Sequence, residues 1–347
     1  MLQHKIRSTE RLISIIMINR NGGDYLRRAL RSLRGSLEES NHAPVDYELL
    51  LVDNGSTDDS VAIVESELES VLFPWRIVEE IEPGVNSARL AGLNAASGQY
   101  LIFTDNDLKF STEWLDGYRR AIKEYPHERI FAGRVKVGEV EGEVPRWLDL
   151  TGEYSRPSIV VRCDNGETTF QTELDANGVD GPVGPNMAFE RSVFQDYGVF
   201  DTNFGLRPGS LVAGAEAEYF HRLSRQGESF VYVAEACVLH PLKRNQISKA
   251  YFRNRLCGIG RVLSRLQHIN GLSTPRVFGV KRYLFRQLLE AWGDYLRTWF
   301  QSCPRKRFYY RCNVSIVWGQ IQEDFAQRAA SIETPSLKIS KFAESAK

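Results

Sequence analysis

The sequence lacks several features that would place a protein in a specialised class. Its 44 basic and 44 acidic residues cancel to a formal net charge of zero, so bulk charge predicts no nucleic-acid partner and no general attraction to a membrane. No stretch approaches the run of about 18 apolar residues that a spanning helix needs. The first residues lead directly into a strand pattern, without the apolar core of a signal peptide.

Cysteine is also scarce, since the chain has only five, odd in number and widely scattered. None of them has C-x-x-C spacing, which argues against a structural zinc site and against a disulfide framework. Reduced thiols in the cytoplasm are the simplest interpretation. Glycine-rich phosphate loops are missing as well, because no G-x-G-x-x-G follows the first strand and no Walker spacing surrounds Pro83-Gly84.

What the sequence does contain is a regular alternation of strand and helix patterns. Short apolar runs predict strands at 12–18, 47–52, 75–78 and 100–103. Helical spacing between them predicts an α/β fold with a mostly parallel sheet flanked by helices. Long helical stretches at 248–267 and 280–300 predict a helical C-terminal extension. We therefore expect a catalytic domain over 1–241, with halves at 1–107 and 108–241, and an extension over 242–347.

The stretch from Tyr100 to Asp107 is the centre of the predicted site. Four apolar or aromatic residues precede Asp105 and Asp107, and ligands in such sheets lie beyond the carboxyl ends of the strands. Two carboxylates at a strand end suit Mg²⁺ or Mn²⁺, which share their remaining positions with water and phosphate oxygens. The alternative is an ordinary strand-end turn, since Asp and Asn are common there.

Three further motifs have both a functional and a structural interpretation. Asp53, followed by Asn54 and Gly55, ends the second strand. Its carboxylate could accept a hydrogen bond from a base N–H or a ribose hydroxyl, or the segment could be a capped turn. Arg89 begins a helix after Pro83-Gly84 and could meet a phosphate, or could be a structural arginine. His240 ends a buried strand and is a candidate third metal ligand, although such a histidine is more often hydrogen-bonded structure.

Glu216 and Glu218 open a predicted helix in which Phe220 and Leu223 share the face of Glu216. The helix dipole favours an ionised carboxylate there, which suits a general base. The alternative is a capping acid. Glu218 points elsewhere and is expected to pair with Arg222 four residues on.

Taken together, the ordered motifs resemble glycosyltransferase family 2, the nucleotide-sugar transferases of the Rossmann-like GT-A fold. The resemblance spans roughly residues 12 to 240 and is carried by these stretches: Ser14 to Arg20, Val52 to Asp58, Gly84 to Gly92, Asp105 to Asp107, Gly184 to Phe189, Phe200-Asp201 and Gly214 to Leu223. The family usually has Glu-Asp where this chain has Ala215-Glu216. The substitution removes the first acid and lengthens the second by one methylene.

The resemblance implies an inverting, metal-dependent transfer of a sugar from a UDP- or dTDP-sugar to a glycan or lipid-linked acceptor, in polysaccharide or cell-surface glycan biosynthesis. It implies these roles: Asn19, Asp53, Asn54, Arg89 and Asp105 at the nucleotide, Asp105, Asp107 and His240 at Mn²⁺ or Mg²⁺, Glu216 as the base with Glu218 as the fallback, and Asn186, Met187 and Glu218 at the sugar or acceptor. Trp147 is a candidate surface for stacking on a sugar, or a core residue.

Two alternatives to the transferase stay open from sequence. One is a sugar nucleotidyltransferase, which would normally carry a glycine-rich basic loop where this chain has Asn19 to Gly23. The other is a non-catalytic scaffold that binds nucleotide-sugar, which the missing acid at Ala215 allows. The C-terminal helices, rich in Arg, Tyr and Trp, could lie at the inner face of a membrane or pack on the catalytic domain or on a second copy of the chain.

Overall fold

A computed structural model describes residues 13–39, 46–174, 180–207, 214–269 and 274–333. The stretch before Ile13, in which we predict no signal peptide, lies outside these residues. The described chain forms two compact units. The N-terminal unit runs to Ile247 except for Pro145–Ser155, which belong with Ser248 and the described residues after it in the C-terminal unit. The boundary predicted after residue 241 lies close to this division, whereas the assignment of Pro145–Ser155 was not expected.

Nine strands of the N-terminal unit form one sheet. They are β1 Ile13–Asn19, β2 Tyr47–Asp53, β3 Trp75–Glu79, β4 Tyr100–Asp105, β5 Lys109–Phe110, β6 Ile130–Val140, β7 Phe170–Glu173, β8 Asn186–Glu190 and β9 Ser229–Leu242. The order is β3-β2-β1-β4-β8-β6-β9-β5, and β7 also pairs with β9. The first four strands are parallel, as predicted. Because β5, β7 and β8 pair antiparallel with their neighbours, the whole sheet is mixed.

Among the described residues seven helices accompany the sheet: α1 Gly23–Glu39, α2 Ser60–Leu68, α3 Val85–Ala95, α4 Trp114–Glu124, α5 Pro157–Val160, α6 Arg191–Tyr197 and α7 Ala217–Ser224. In α1 the buried residues are Leu26, Ala29, Leu30, Leu33, Ser36 and Leu37. This spacing keeps one apolar face toward the sheet. Strands β1, β2 and β4 are buried along almost their whole length, as expected for the part of a sheet that helices cover.

The sheet topology brings distant chain segments to one edge. Ile18 pairs with Asp105, and Asn19 pairs with Asp53. Strand β8 reverses direction relative to β4, and β6 reverses again, so β6 and the parallel β9 run in the direction of β4. The carboxyl ends of β1, β2, β4 and β9 therefore lie on the same side, where such sheets bind ligands.

The C-terminal unit is mainly helical. It contains α8 Lys249–Ile269, the hairpin strands β10 Arg276–Val277 and β11 Val280–Lys281, α9 Arg282–Arg297 and α10 Pro304–Glu333. Helices α8 and α10 approach backbone to backbone at Gly260 and Gly319, where an added Cβ would lie 2.0 Å from a carbonyl oxygen of the other helix. Short 3-10 turns occupy Arg244–Gln246 and Thr298–Phe300. No helix among the described residues is both long and apolar enough to span a bilayer.

A buried ion pair joins three elements of the C-terminal unit. Lys281 Nζ lies 2.9 Å from Asp324 Oδ1 and donates to Ser264 Oγ at 2.8 Å, while the Lys281 backbone N–H donates to Asp324 Oδ2. The Lys281 and Asp324 side chains are 1% and 0% exposed. Burial alone would raise the pKa of Asp324, but the hydrogen bonds from Ser264 and Lys281 lower it.

We expect Asp324→Ala to lower the free energy of unfolding by about 3–5 kcal/mol, because it leaves a buried ammonium group without its counter-charge. Urea denaturation followed by tryptophan fluorescence measures this. The matched control is Asp294→Ala, whose pair with Arg297 is exposed and should matter little. If Asp324→Ala lost no more unfolding free energy than the control, the stabilising role given to the Lys281–Asp324 pair would be wrong. Because the pKa of Asp324 is lowered in the folded state, its contribution to the free energy of unfolding should be present near neutral pH. It should be lost as the pH falls through that pKa.

Candidate nucleotide and metal site

Two aspartates and a histidine converge at the carboxyl edge of the sheet. One ligand atom each from Asp105, Asp107 and His240 lies within 4.8 Å of the others. Asp105 Oδ1 and Asp107 Oδ1 are buried without a hydrogen-bond partner. Unpaired buried carboxylate oxygens are costly. A divalent cation would satisfy both, so the residues present fit the metal that the sequence predicts.

The protonation states of the three groups differ. Burial, and next the charge of Asp107, raise the pKa of Asp105 to about 7. Burial opposes ionisation of Asp107 too, but His240 and Lys243 beside it bring its pKa below the ordinary value. Burial lowers the pKa of His240. At neutral pH the site therefore holds an ionised Asp107, a neutral His240 and an Asp105 close to half protonation.

The tautomer of His240 follows from its contacts. Its Nδ1 lies 2.9 Å from the carbonyl oxygen of Pro241, which can only accept, so Nδ1 carries the proton. Nε2 then has a lone pair and lies 4.0 Å from Asp107 Oδ1. A ring nitrogen oriented in this way by a carbonyl is the usual arrangement of a metal-ligating histidine.

A cavity of about 450 Å³ opens beside these groups. Its lining residues are Ile18, Asn19, Arg20, Asn54, Gly84, Val85, Ala88, Asp105, Asn106, Asp107, Leu206 and Arg207. The size suits a small-molecule ligand, and the walls combine apolar surface with a few polar groups. The structure thus brings the predicted residues Asn19, Asn54, Asp105 and Asp107 together around one space.

The predicted nucleotide residues Asn19, Asp53 and Asn54 form a hydrogen-bonded floor. Asn19 donates to Asp53 Oδ1 at 3.1 Å, and Asp53 Oδ2 accepts from the Ser56 backbone at 3.1 Å. Asn54 donates to the carbonyl oxygens of Glu80 and Glu82 and accepts from the Gly84 N–H. These contacts hold the ends of β1 and β2 and the turn before α3 in one arrangement.

Arg89 and Glu216 form a pair close to the carboxylates. Arg89 Nη1 lies 3.7 Å from Glu216 Oε2, with side chains 4% and 26% exposed. Glu216 precedes the first residue of α7, and its Oε1 accepts from the Gly184 backbone N–H at 3.3 Å. The buried Arg89 also donates to Asn86. Arg89 is not among the residues that line the cavity and pairs with Glu216 in this structure, so its role at the nucleotide stays a prediction.

Gly184 has to be glycine for this pair to form. A Cβ at this position would lie 2.1 Å from Arg89 Nη2 and 3.5 Å from Glu216 Oε1. By contrast, Glu218 forms a two-pronged pair with Arg222, at 2.9 and 2.8 Å. This contact confirms the Glu218–Arg222 pair that the spacing of four residues predicts. Of the two acids, Glu216 is therefore the one that lies beside Gly184.

The structure corrects the sugar- or acceptor-binding assignment of Asn186 and Met187. Both are fully buried. Asn186 Oδ1 accepts from Trp114 and Tyr118, and its Nδ2 donates to the carbonyl oxygens of Arg134 and Ala236. With these groups all paired, the Asn186 side chain ties α4, β6 and β9 together and is not free to contact a sugar.

Trp147 lies in the C-terminal unit. Its ring packs edge to face against Phe252 and Phe308, with centroids 5.5 and 4.4 Å away. These contacts favour the core alternative that the sequence left open for this residue.

Three basic residues near the carboxylates were not predicted from sequence. Lys243 Nζ lies 2.7 Å from Asp107 Oδ2 and 4.2 Å from the centre of the Tyr25 ring. Arg20 and Arg207 line the cavity. The position of Lys243, three residues after His240, is the one sequence feature that could have indicated its role. No local pattern predicts that this part of the chain lies beside Asp107.

The sequence matches the family described as "Glycosyl transferase family 2" over residues 14–198, just over half of the 347 residues. It is 21% identical over 295 residues to glycosyltransferase AglE of Haloferax volcanii, which is 83% of this chain and 85% of the relative.

Two solved structures are similar in fold. The mannosyltransferase PcManGT from Pyrobaculum calidifontis in complex with GDP-Man and Mn²⁺ gives a TM-score of 0.52 at 16% identity, covering 95% of this chain and 77% of that one. S. aureus TarS 1-349 in complex with UDP gives 0.50 at 16% identity, covering 91% and 92%. At these identities the likeness establishes the fold alone, and it confirms the predicted fold class.

Proposed function

The chain belongs to glycosyltransferase family 2, and from the geometry of its site we propose an inverting, metal-dependent transfer of one sugar from a nucleotide diphosphate-sugar to a hydroxyl acceptor. The observation that carries this proposal is the pair of buried, unpartnered carboxylate oxygens of Asp105 and Asp107, facing His240 beside the cavity. Mn²⁺ or Mg²⁺ held there would act as a Lewis acid on the departing diphosphate. Structural neighbours with UDP and with GDP-Man and Mn²⁺ support such a ligand.

The charges around the cavity suit a diphosphate. Lys243 pairs with Asp107, and Arg20 and Arg207 line the cavity. The three cations can neutralise the negative charge that grows on the leaving nucleotide. Asn19, Asp53 and Asn54 shape the wall for the base and ribose. We propose UDP- or dTDP-sugars as the donors.

Glu216 is the group that can take the acceptor proton. It is partly exposed, while the Gly184 N–H and Arg89 hold its carboxylate in place. In the proposed step Glu216 removes the proton from an acceptor hydroxyl. That oxygen attacks the anomeric carbon from the side opposite the leaving nucleotide, which inverts the configuration.

The acceptor we propose is a glycan or a lipid-linked sugar in polysaccharide or cell-surface glycan biosynthesis. Five free cysteines fit a reducing compartment, so we place the reaction in the cytoplasm, at the inner face of the membrane. Whether the chain works as a monomer or a homo-oligomer is decided by light scattering on the purified protein.

Binding of UDP or dTDP should raise the melting temperature only when Mn²⁺ is present. At a nucleotide concentration about 100 times Kd the added stability is about 2.7 kcal/mol, which is several degrees in differential scanning fluorimetry.

The affinity for Mn²⁺ should depend on pH. Because the pKa of Asp105 is about 7 and Asp105 binds a metal as the carboxylate, Mn²⁺ must displace a proton below that pH. The apparent Mn²⁺ affinity should therefore level off at alkaline pH and fall by about tenfold per pH unit below 7.

The shift with nucleotide and Mn²⁺ should be lost in Asp107→Asn. The control is Asp24→Asn, which changes an exposed acid of α1 and should keep the full shift. GDP and ADP complete the nucleotide panel. If no nucleotide raises the melting temperature with Mn²⁺, the proposed donor site is wrong, and the chain would keep the fold of the family without nucleotide binding.

Gly184→Ala should lower kcat by about 100-fold, because the added methyl displaces Arg89 and Glu216 by the order of an ångström. The matched control is Gly181→Ala, where a Cβ would meet nothing within 4 Å. Steady-state kinetics of both variants, with donor KM measured separately, make the comparison. Equal activity of the two variants would contradict the role given to the Arg89–Glu216 pair.

A further inference from the structure

The C-terminal unit contains a second concentration of positive charge, apart from the nucleotide site. Helices α8, α9 and α10 contribute to a cavity of about 230 Å³ lined by Lys249, Arg253, Tyr295, Pro304, Arg307, Phe308 and Arg311. We call this cavity the arginine pocket. Among the described residues, none of its four cations has a carboxylate within salt-bridge distance. Four like charges around one small space repel each other, and an anion would relieve that cost.

Aromatic rings and carbonyl groups, not acids, hold the arginines in place. Arg311 lies over the Trp292 ring at 5.1 Å and the Tyr295 ring at 6.0 Å. Arg307 lies over Trp299 at 5.8 Å and donates to the carbonyl oxygen of Gln301 at 3.0 Å. The Arg307 Nε is buried without a partner. Guanidinium groups fixed in this way keep N–H donors for a phosphate, whose geometry they match.

A second cavity with a mixed lining adjoins the arginine pocket. It has a volume of about 600 Å³, shares Arg253 and Arg311 with the pocket and is otherwise lined by Asn254, Cys257, Leu288, Trp292, Val314, Ser315, Trp318 and Gln322. A ligand that filled both spaces would carry a phosphate at one end and a part with both polar and apolar surface at the other.

Helix α9 and the turn after it also expose an apolar face. We call it the α9 stripe, and its members are Phe285, Leu289, Trp292, Leu296, Trp299 and Phe300, which follow one another at helical spacing up to the turn. Phe300 is 95% exposed, Leu289 74% and Trp299 60%. A contiguous exposed face of this kind marks an interaction surface. Tryptophan and basic residues on such a helix are typical of segments at a membrane interface.

We propose that the C-terminal unit binds an anionic membrane lipid, with its phosphate group in the arginine pocket and the α9 stripe in the interfacial layer. Charge complementarity favours this occupant over a second copy of the chain. On α9 each of the acids Glu290 and Asp294 lies beside an arginine, Arg286 and Arg297, so the helix offers the pocket of another copy no excess of negative charge. The binding is independent of the proposed transfer reaction.

The test is co-sedimentation of the full-length protein with vesicles of phosphatidylcholine alone and with vesicles that also contain phosphatidic acid. The pocket variant is Arg307→Gln with Arg311→Gln, and the stripe variant is Leu289→Ser with Phe300→Ser. The matched control is Arg286→Gln with Arg297→Gln, which removes the same charge from paired positions on α9. Soluble glycerol phosphate and inorganic phosphate serve as competitors.

We expect binding to the phosphatidic acid vesicles, weakened by about 100-fold in the pocket variant, or about tenfold for each arginine. The control variant should lose much less affinity for these vesicles, and the soluble phosphates should compete only weakly for the pocket. The stripe variant should also lose vesicle binding. All variants should keep the melting temperature of the parent and its shift with nucleotide and Mn²⁺, which separates this test from that of the transferase site.

Several results would overturn the proposal. Equal losses in the pocket variant and the control would mean general electrostatic attraction. Equal binding to both kinds of vesicle would show that the arginine pocket does not select the anionic phosphate of phosphatidic acid over the zwitterionic headgroup of phosphatidylcholine. Tight binding of inorganic phosphate without vesicle binding would indicate a site for a free anion. Self-association lost in the stripe variant, without vesicle binding, would assign the surface to a second copy.

Discussion

Asp107→Asn should reduce transferase activity by about 1,000-fold or more while the protein stays folded. The carboxylate would supply one of the ligands to the metal, whose stabilisation of the leaving group is worth several kcal/mol, and about 1.4 kcal/mol corresponds to a factor of ten. The amide keeps the size of the side chain but loses its charge. Initial rates with saturating donor and Mn²⁺ measure the effect.

The folded state should tolerate this change. Asp107 loses its pair with Lys243, but the repulsion that helps to raise the pKa of Asp105 also disappears. The melting temperature without ligand should therefore change little, while the shift with nucleotide and Mn²⁺ is lost. Asp24→Asn is again the charge-matched control. Unchanged turnover in Asp107→Asn would disprove the metal site assigned to Asp105, Asp107 and His240.

Glu216→Gln should lower kcat by about 100- to 10,000-fold, the usual contribution of a general base. Glutamine can still accept from the Gly184 N–H and keeps nearly the same shape, so the KM for the donor and the stabilisation by nucleotide should be preserved. Measuring kcat and KM for both variants, Glu216→Gln and Asp107→Asn, separates loss of the base from loss of donor binding.

Glu218→Gln is the control for this experiment. Glu218 already pairs with Arg222, so its replacement should affect folding stability more than turnover. If Glu218→Gln abolished turnover and Glu216→Gln did not, Glu218 would be the base. If neither variant lost activity, the acid–base mechanism would need another residue, and Ala215 in place of the family's first acid would become the point to explain.

The strands and the acids at their ends were readable from the sequence because both are local signals. Strand β4 is a buried apolar run that ends at Asp105, and the pairing of Glu218 with Arg222 follows from helical spacing. The parallel first half of the sheet follows from the alternation of strands and helices. The sequence could not show that β8 would enter the same sheet antiparallel, since strand pairing depends on chain segments far apart.

The residues that were misassigned or missed have partners that are distant in the chain. Asn186 was predicted to contact a sugar, yet Trp114, Tyr118 and the backbone at Arg134 and Ala236 occupy its polar groups. Lys243 was overlooked because its partner, Asp107, belongs to a segment far earlier in the chain. Residue type and spacing do not reveal such contacts.

The sequence by itself determined the alternation of elements, the position of Asp105 and Asp107 at a strand end, and the resemblance to a transferase family. Only the tertiary structure decided that Arg89 pairs with Glu216, that Asn186 lies in the interior, and that four cations of the C-terminal unit surround one cavity. The reason is physical: periodicity reports which face of an element is apolar, whereas burial and pairing of polar groups depend on which elements meet.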